Sequence, residues 1–572
     1  MAGEVVGEMT GATGEHQTEQ GPWLRVCGSL GGPADDRVAA MGALLGEPPS
    51  LIDRQGGSVR GNHGTPWTEG GTEAVSWSPS PLPGSLPTDA REIAERHDAA
   101  TLAVPDSGTP YLHAGISGAA PLYVDTAPVR AGSTSHFCSH VDPLARTRRG
   151  PLRPDWDAWA QIIAMGGPLE GRTPFEGIRR LAPYERLTTP AEHPQGGIAD
   201  GWPWLEVTSS GDATLDPLRD ALVEAVAALG GRTRLAPLLS GGWDSRILAS
   251  LAAHTTGDTT GTAPAAWTTS SDTGTVLEEL VAARVAGKLG LAHTIVAPRR
   301  DEFARDLDEF ARAVDYQTSF HVWLVPLARA LAGNGRTVLD GLGGGVFVGG
   351  AFADDDSDRP AVEKRFALMA KYLDAVDVLL HPTVARQIRN RTRAAFENAA
   401  TPLADHPYGN TFTAYLTRTL PGISLAPFGL VARGNPVATP FLADSVVRAA
   451  LAIPPERHAD GALYAPLLRP LAPEVAGLPT AAETPQPRRH HRRRVASAEA
   501  AERFRTLLNR EPVRGLLSPR FATESSGTWR WMLNRTGYQH VIRSVATLAL
   551  WLESYGDLLD DTGTGELLER AA

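Results

Sequence analysis

"LLSGGWDSRILASLAAH", residues 238–254, is the stretch on which the fold turns. It continues a short apolar run, Leu235-Ala236-Pro237-Leu238-Leu239, of the kind that forms a buried strand. Beyond it, Ile247, Leu248, Leu251 and Ala252 recur at helical spacing. The turn Ser240-Gly241-Gly242 therefore joins a buried strand to a packed helix that restarts at Asp244. Such a turn aims free backbone N–H groups forward, and its two glycines let an anion approach without a Cβ in the way. An ordinary βα turn has the same local pattern, so the rest of the chain decides between them.

Downstream of an amphipathic stretch at 215–229, helical patterns alternate with short apolar strands at 235–239, 264–270, 292–298 and 337–342. That alternation implies βαβ units and a parallel sheet. Such sheets bind ligands at the carboxyl ends of their strands. Three features gather there: Ser240 to Ser245, Trp267 to Asp272, and the Gly-rich run from Asp340 to Gly350. A nucleotide or phosphate cleft follows, but not that of a P-loop kinase, because no Lys follows the glycines. From about residue 360 the pattern is mostly helical. Toward the N-terminus, residues 1–20 and 50–90 are rich in Gly, Ser, Thr and Pro and are expected to be loop or loosely ordered chain. Pieces such as "YLHAG" (111–115) and "APLYVDT" (120–126) predict an all-β or α+β N-terminal domain.

The 572 residues exceed what one core supports, so two large or three smaller domains are expected. No apolar run is long enough to span a membrane and the N-terminus lacks signal-peptide features, so a cytoplasmic protein is expected. With only Cys27 and Cys138, a disulfide framework and an all-cysteine zinc site are excluded. A net charge of −11 argues against a general nucleic-acid binder. The basic run "RRHHRRR" (488–494) goes the other way, and reads either as a solvated loop or as a lid for an anionic or peptide ligand.

Ser240-Gly241-Gly242-Trp243-Asp244-Ser245 resembles the SGGxDS pyrophosphate loop of the ATP-pyrophosphatases. "GISGAAPLYVD" (115–125), "HFCSH" (136–140) and "PFEGIRRLAPYERL" (174–187) resemble, in order, the glutaminase-like domain of asparagine synthetases. "RTVLDGLGGGVFVGG" (336–350) and "ATPFLADSVVRAALAIP" (438–454) resemble that family's second glycine motif and its "PFLD" helix. The resemblance implies an α+β Ntn-hydrolase-like domain over residues 1–205 and an α/β ATP-pyrophosphatase domain, helical toward its C-terminus, over 206–572. It also implies ATP and Mg2+.

Departures from the family carry information. Glutamine-dependent members place a nucleophilic cysteine directly after the initiator Met, whereas residue 2 here is Ala. The glutaminase is therefore expected to be inactive, and the amine to arrive with the substrate. The acidic pair that helps hold magnesium in the family is matched by Gly345 and Val346, and the preceding glutamate by Leu342. Metal binding is then expected to rest on Asp244 with Asp340 or Asp272. The family lysine beyond the "PFLD" helix falls near Thr480, and the Arg-rich run is the candidate replacement.

Within the family, Trp243 and Arg246 in "SGGWDSR" and the "DGLGG" form of the second motif are similar to the lasso-peptide macrolactam synthetases of actinobacteria. That resemblance implies activation of an Asp or Glu side chain of a linear core peptide as its adenylate, followed by attack of the peptide's N-terminal amine. A leader peptidase and a leader-binding protein are the partners it implies, with no nucleic acid and no membrane. β-Lactam and ammonia-dependent asparagine-type synthetases, and a peptide-binding pseudoenzyme, stay open. The nucleotide is expected against Ser240, Gly241, Gly242, Asp244, Ser245, Trp267, Thr268, Thr269, Gly341 and Gly343. Asp315, Tyr316 and His321 in "VDYQTSFHVW" align with a family segment that faces the substrate, and with Asp244 they are the candidate catalytic residues.

Overall fold

The computed structural model describes residues 23–126, 134–188, 195–257, 264–272, 274–350, 358–485, 493–560 and 564–568. In the N-terminal part these include β1 (Val26–Leu30), β2 (Ser50–Arg54), β3 (Gly57–Gly61), β4 (Thr65–Glu69), β5 (Thr72–Trp77) and β6 (Ala100–Pro105). They continue with β7 (Tyr111–His113), β8 (Tyr123–Asp125), β9 (Ser135–Cys138), β10 (Ile178–Arg180) and β11 (Arg186–Leu187). Two sheets result, in the orders β10-β8-β9-β1-β3-β2 and β11-β7-β6-β5-β4, with antiparallel pairing throughout. They pack face to face over a shared core in which Trp77 stacks on Phe137 with ring centroids 6.0 Å apart.

The expectation of loose chain over 50–90 is corrected here, because β2 to β5 all lie within it. Gly and Pro mark the turns rather than the absence of strands. Gly70 and Gly71, both at positive φ, close the β4–β5 hairpin, with Glu69 paired to Thr72. Two consecutive positive-φ residues suit the right-handed twist of such a hairpin, and glycine adopts them without strain. Residues 1–22 lie outside the described residues.

The second part holds β12 (Arg234–Pro237), β13 (Ala265–Thr269), β14 (Ala292–Val296), β15 (Arg336–Leu339) and β16 (Val437–Ala438). β12, β15 and β16 form one parallel ladder and β13 and β14 another. A parallel bridge between Leu238 and Trp267 joins them, giving the order β14-β13-β12-β15-β16. The chain moves outward from β12 to β13 and β14, then crosses back to β15 on the other side. That reversal opens a crevice at the carboxyl ends of β12 and β15, where both glycine motifs begin.

Beyond residue 360 the chain is helical, with one departure from α geometry. Residues Tyr415–Ile423 and Ala426–Val431 form π-helical turns, with Ser424 N–H donating to Thr419 O at 2.8 Å and Ala432 N–H to Pro427 O at 2.9 Å. Pro421 and Pro427 lack the N–H that regular α turns require, and wider turns accommodate them. The two parts share one core: the helix Trp156–Met165 packs on the helix Thr536–Tyr555, with Trp159 against Trp551 at 5.3 Å. No helix among the described residues is long and apolar enough to cross a membrane.

Candidate active site

The crevice is a cavity of about 600 Å³. On one side lie Ser240, Gly242, Asp244 and Ser245, on another Trp267 to Thr269 with Ser271, and below them Asp340 to Gly343 with Gly345 and Val346. The π-helical turns close it with Arg418, Thr419, Ile423, Ala426 and Pro427. Gly241 is the one residue of the expected nucleotide set that does not line it.

The loop is held by its own hydroxyls. Ser245 Oγ accepts the Ser240 N–H at 3.0 Å and lies 2.9 Å from Ser240 Oγ, which in turn accepts the Gly242 N–H at 3.1 Å. Gly241 N–H donates to Glu278 Oε2 at 2.6 Å. The helix then begins at Trp243, one residue before the sequence expectation. Arg246, fully buried, donates to the carbonyls of Val475, Leu478 and Pro479, and its guanidinium lies over the Trp243 ring at 4.6 Å. Arg246 thus docks the 475–479 segment, and Ala481 N–H reaches Gly241 O at 3.2 Å. Thr480 is buried in that docking, with its N–H on Glu483.

Asp244 lies in the first helical turn, facing Asp340 across the crevice floor. Its carboxylate rests so close to Gly344 that a Cβ there would stand 2.3 Å from Oδ1, so any side chain at position 344 would displace the Asp244 carboxylate. Burial pushes both Asp244 and Asp340 up to about 6, and the charge of Asp340 adds to the difficulty of ionising Asp244. The Tyr464 hydroxyl donates to Asp244, while Oδ1 is buried without a hydrogen-bond partner. Two desolvated carboxylates with an orphaned oxygen fit a hard divalent cation, which favours such oxygen ligands. Asp272 is not part of this group, because its oxygens accept the backbone N–H groups of Arg494 and Val495.

His321 alone of the three downstream catalytic candidates reaches the cavity. Burial and the charges of Arg543 and Arg418 hold its imidazole down at about 4, so it is neutral and a weak base. The catalytic expectation for Asp315 and Tyr316 gives way to structural roles. Asp315 accepts the N–H groups of Val141 and Asp142 at 2.9 and 3.3 Å, capping the helix Val141–Arg146 from the other half of the molecule. Tyr316 packs edge-on against Tyr555. Both side chains are consumed in the shared core, outside the cavity.

Thr268 and Thr269 line the cavity, but their hydroxyls bond Leu239 O and Val296 O and so brace the strands. Leu342, Gly345 and Val346 give the floor an apolar surface where the family resemblance leads one to expect acids. Sequence reading missed Glu278, Arg418 and Tyr464. Glu278 stands two residues into the helix that follows the Trp267 loop, a position from which an acid reaches back to a neighbouring loop. Arg418 is the one Lys or Arg among the described lining residues, and only the π-helical turn points it inward. In the Arg-rich run, residues 488–492 lie outside the described residues, and Arg494 pairs with Asp306 in the core.

The asparagine synthase profile matches residues 217–553, which contain the whole parallel sheet, both glycine motifs and the π-helical turns. The chain belongs to the asparagine synthase family. Its members are ATP-dependent, AMP-forming amide ligases that usually work with Mg2+. A comparison with curated proteins finds no match.

Proposed function

We propose that the protein closes a macrolactam within a linear core peptide. ATP activates an Asp or Glu side chain of the peptide as its adenylate, and the peptide's own N-terminal amine then displaces AMP. The observation that carries this reading is the condition of the cysteines. Cys27 and Cys138, the only thiols in the sequence, are fully buried and paired across neighbouring strands. Burial pushes Cys27 up to about 12 and Cys138 well above its ordinary value. Neither can supply the thiolate that releases ammonia from glutamine. Ammonia from glutamine is thus ruled out as the nucleophile, and in this reading the amine comes with the substrate.

A carboxylate does not acylate an amine at neutral pH, so charge must first be moved onto pyrophosphate as a leaving group. The Ser240 and Ser245 hydroxyls and the start of the helix at Trp243 would stabilise negative charge on that group, with the Gly242 N–H holding the Ser240 hydroxyl in place. Arg418 contributes the facing positive charge. Asp244 and Asp340 would hold Mg2+, which when bound neutralises charge on the phosphates. Leu324, Leu327, Ile423 and Pro427 form an apolar wall that keeps water from the activated acyl group. A peptide with both reacting ends in one closed crevice attacks itself at high effective concentration. In this reading a leader-binding protein and a leader peptidase deliver the core peptide.

The test is incubation of the protein with ATP, Mg2+ and a leaderless linear peptide bearing an internal Asp or Glu, followed by mass spectrometry and AMP quantitation. Loss of one water from the peptide with stoichiometric AMP is the expected result. Conversion of free aspartate and ammonia to asparagine at a comparable rate would make the protein an asparagine-type ligase instead. Peptide binding with no AMP formed would make it a binding protein.

A further inference from the structure

The π-helical turns over Tyr415–Ile423 have two faces. Arg418, Thr419 and Ile423 line the crevice, whereas Leu416, Leu420 and Pro421 turn to the N-terminal half, where with Arg180 they line a small cavity of about 30 Å³. Contact on this second face is close. A Cβ at Gly167 would stand 2.7 Å from Pro421 O, and one at Gly422 would stand 2.8 Å from Gly166 O. The fully buried Tyr415 donates its hydroxyl to Ser117 O at 2.7 Å.

Arg180, the last residue of β10, crosses this boundary and is 5% exposed. Its Nη1 donates to Leu420 O at 2.8 Å. Its Nη2 lies 2.7 and 2.8 Å from the carbonyl oxygens of Gly118 and Ala119 and 3.2 Å from Ser424 Oγ. The wide turn makes the Leu420 carbonyl available for this contact. Ser424 N–H goes to Thr419 O, so Leu420 O accepts the Ser424 hydroxyl at 2.6 Å and the arginine instead. Among the described residues the Arg180 guanidinium meets carbonyl and hydroxyl oxygens and no carboxylate. Burying a guanidinium without a carboxylate costs stability, and an apolar side chain would fill the same space without that cost. A planar fork of N–H donors, however, fastens two backbone segments in one register, which neither Lys nor an apolar residue does.

We propose that Arg180 is a positioning residue for the crevice, through which the N-terminal half, its thiols buried, holds the π-helical wall in place from behind. The inference rests on the amide-ligase reading and gives the N-terminal half a part in it. Arg180 does not line the crevice, so its effect passes through the wall residues Thr419 and Ile423. If the wall shifts, water reaches the acyl-adenylate. Water then attacks the acyl carbon, the acyl–phosphate bond breaks, and AMP leaves while the carboxylate is regenerated without an amide.

The test compares the full-length protein with Arg180→Met, Arg180→Lys and Trp551→Phe, the last a change in the shared core away from the turns. Hydrogen–deuterium exchange reads the wall directly. In Arg180→Met the amides of residues 415–431 are expected to exchange at least about tenfold faster, the worth of one buried hydrogen bond, with β12 and β15 within about twofold. Given ATP, Mg2+ and a leaderless linear peptide bearing an internal Asp or Glu, the same variant should release roughly threefold or more AMP per amide formed. Trp551→Phe should keep the ratio of the unaltered protein. Arg180→Lys keeps the charge and loses the fork, so it should lie between, and it decides the matter if Arg180→Met fails to fold. Unchanged exchange over 415–431, or a rise of the same size throughout both halves, overturns the proposal. So does a parallel fall of AMP and amide at constant ratio, the mark of a merely structural residue. Exchange needs no turnover, so absence of AMP formation by the unaltered protein counts against the ligase reading alone.

Discussion

The Glu278 carboxylate accepts the Gly241 backbone N–H at 2.6 Å, so an acid on one helix sets the shape of the anion loop on another strand. Two effects compete at this contact. The hydrogen bond fixes the loop, and the negative charge repels an incoming phosphate. Gln keeps the acceptor without the charge, whereas Ala removes both. If loop geometry dominates, Glu278→Gln should retain ATP turnover within about threefold, and Glu278→Ala should lose about tenfold, the worth of one buried hydrogen bond. Steady-state AMP release by the two variants separates the effects. A Gln variant as impaired as Ala would assign the role to the charge.

Asp244 and Asp340 both stand at about 6, raised first by burial. A cation needs both as carboxylates, so protons compete with it below that pH. The Mg2+ concentration for half-maximal AMP release should fall at least about tenfold between pH 5 and pH 7 and level off above. Asp340→Asn should raise that concentration at every pH. A Mg2+ requirement unchanged across this range would remove the pair as the metal site.

Much of the catalytic half was legible because its signals are local. A short apolar run, a glycine turn and a helical stripe lie within residues 235–252, and the structure puts β12 and the helix Trp243–Gly257 there. The strands between residues 50 and 77 were not legible, because their Gly, Ser and Thr residues owe their order to cross-strand pairing rather than to an apolar alternation. Arg418 was hidden for a similar reason. The π-helical turn that accommodates Pro421 carries it to the crevice. Asp315 shows the opposite error. A polar residue in a family-like segment invites a chemical role, yet its carboxylate is spent on the N–H groups of a distant helix.

The cysteines give a direct test of the amine source. Both are 0% exposed and their thiols are raised by burial, so the native protein should not react with a thiol-alkylating reagent at neutral pH. Replacing both by Ala should leave amide formation within about twofold while lowering stability through lost packing, on the order of 1 kcal/mol per site. Rapid alkylation of the folded protein, or loss of activity in the double variant at full fold, would reopen a thiol mechanism.

Asp315 joins the two halves of the molecule at a measurable pH cost. Burial raises it to about 7, ahead of the opposing hydrogen bonds from Val141 and Asp142, so the folded protein favours its neutral form. Its stabilising contribution is therefore complete below the unfolded-chain value near 4 and is lost as pH rises through about 7. Asn at this position is neutral at every pH and retains an oxygen for the Val141 N–H. Relative to the unaltered protein, Asp315→Asn should gain stability between pH 5 and pH 8, by up to about 1.4 kcal/mol for each unit of displacement. Thermal unfolding midpoints at the two pH values read this difference. A gap of the same size at pH 5 and pH 8 would mean that Asp315 does not titrate with folding, and that its part in joining the halves is hydrogen bonding alone.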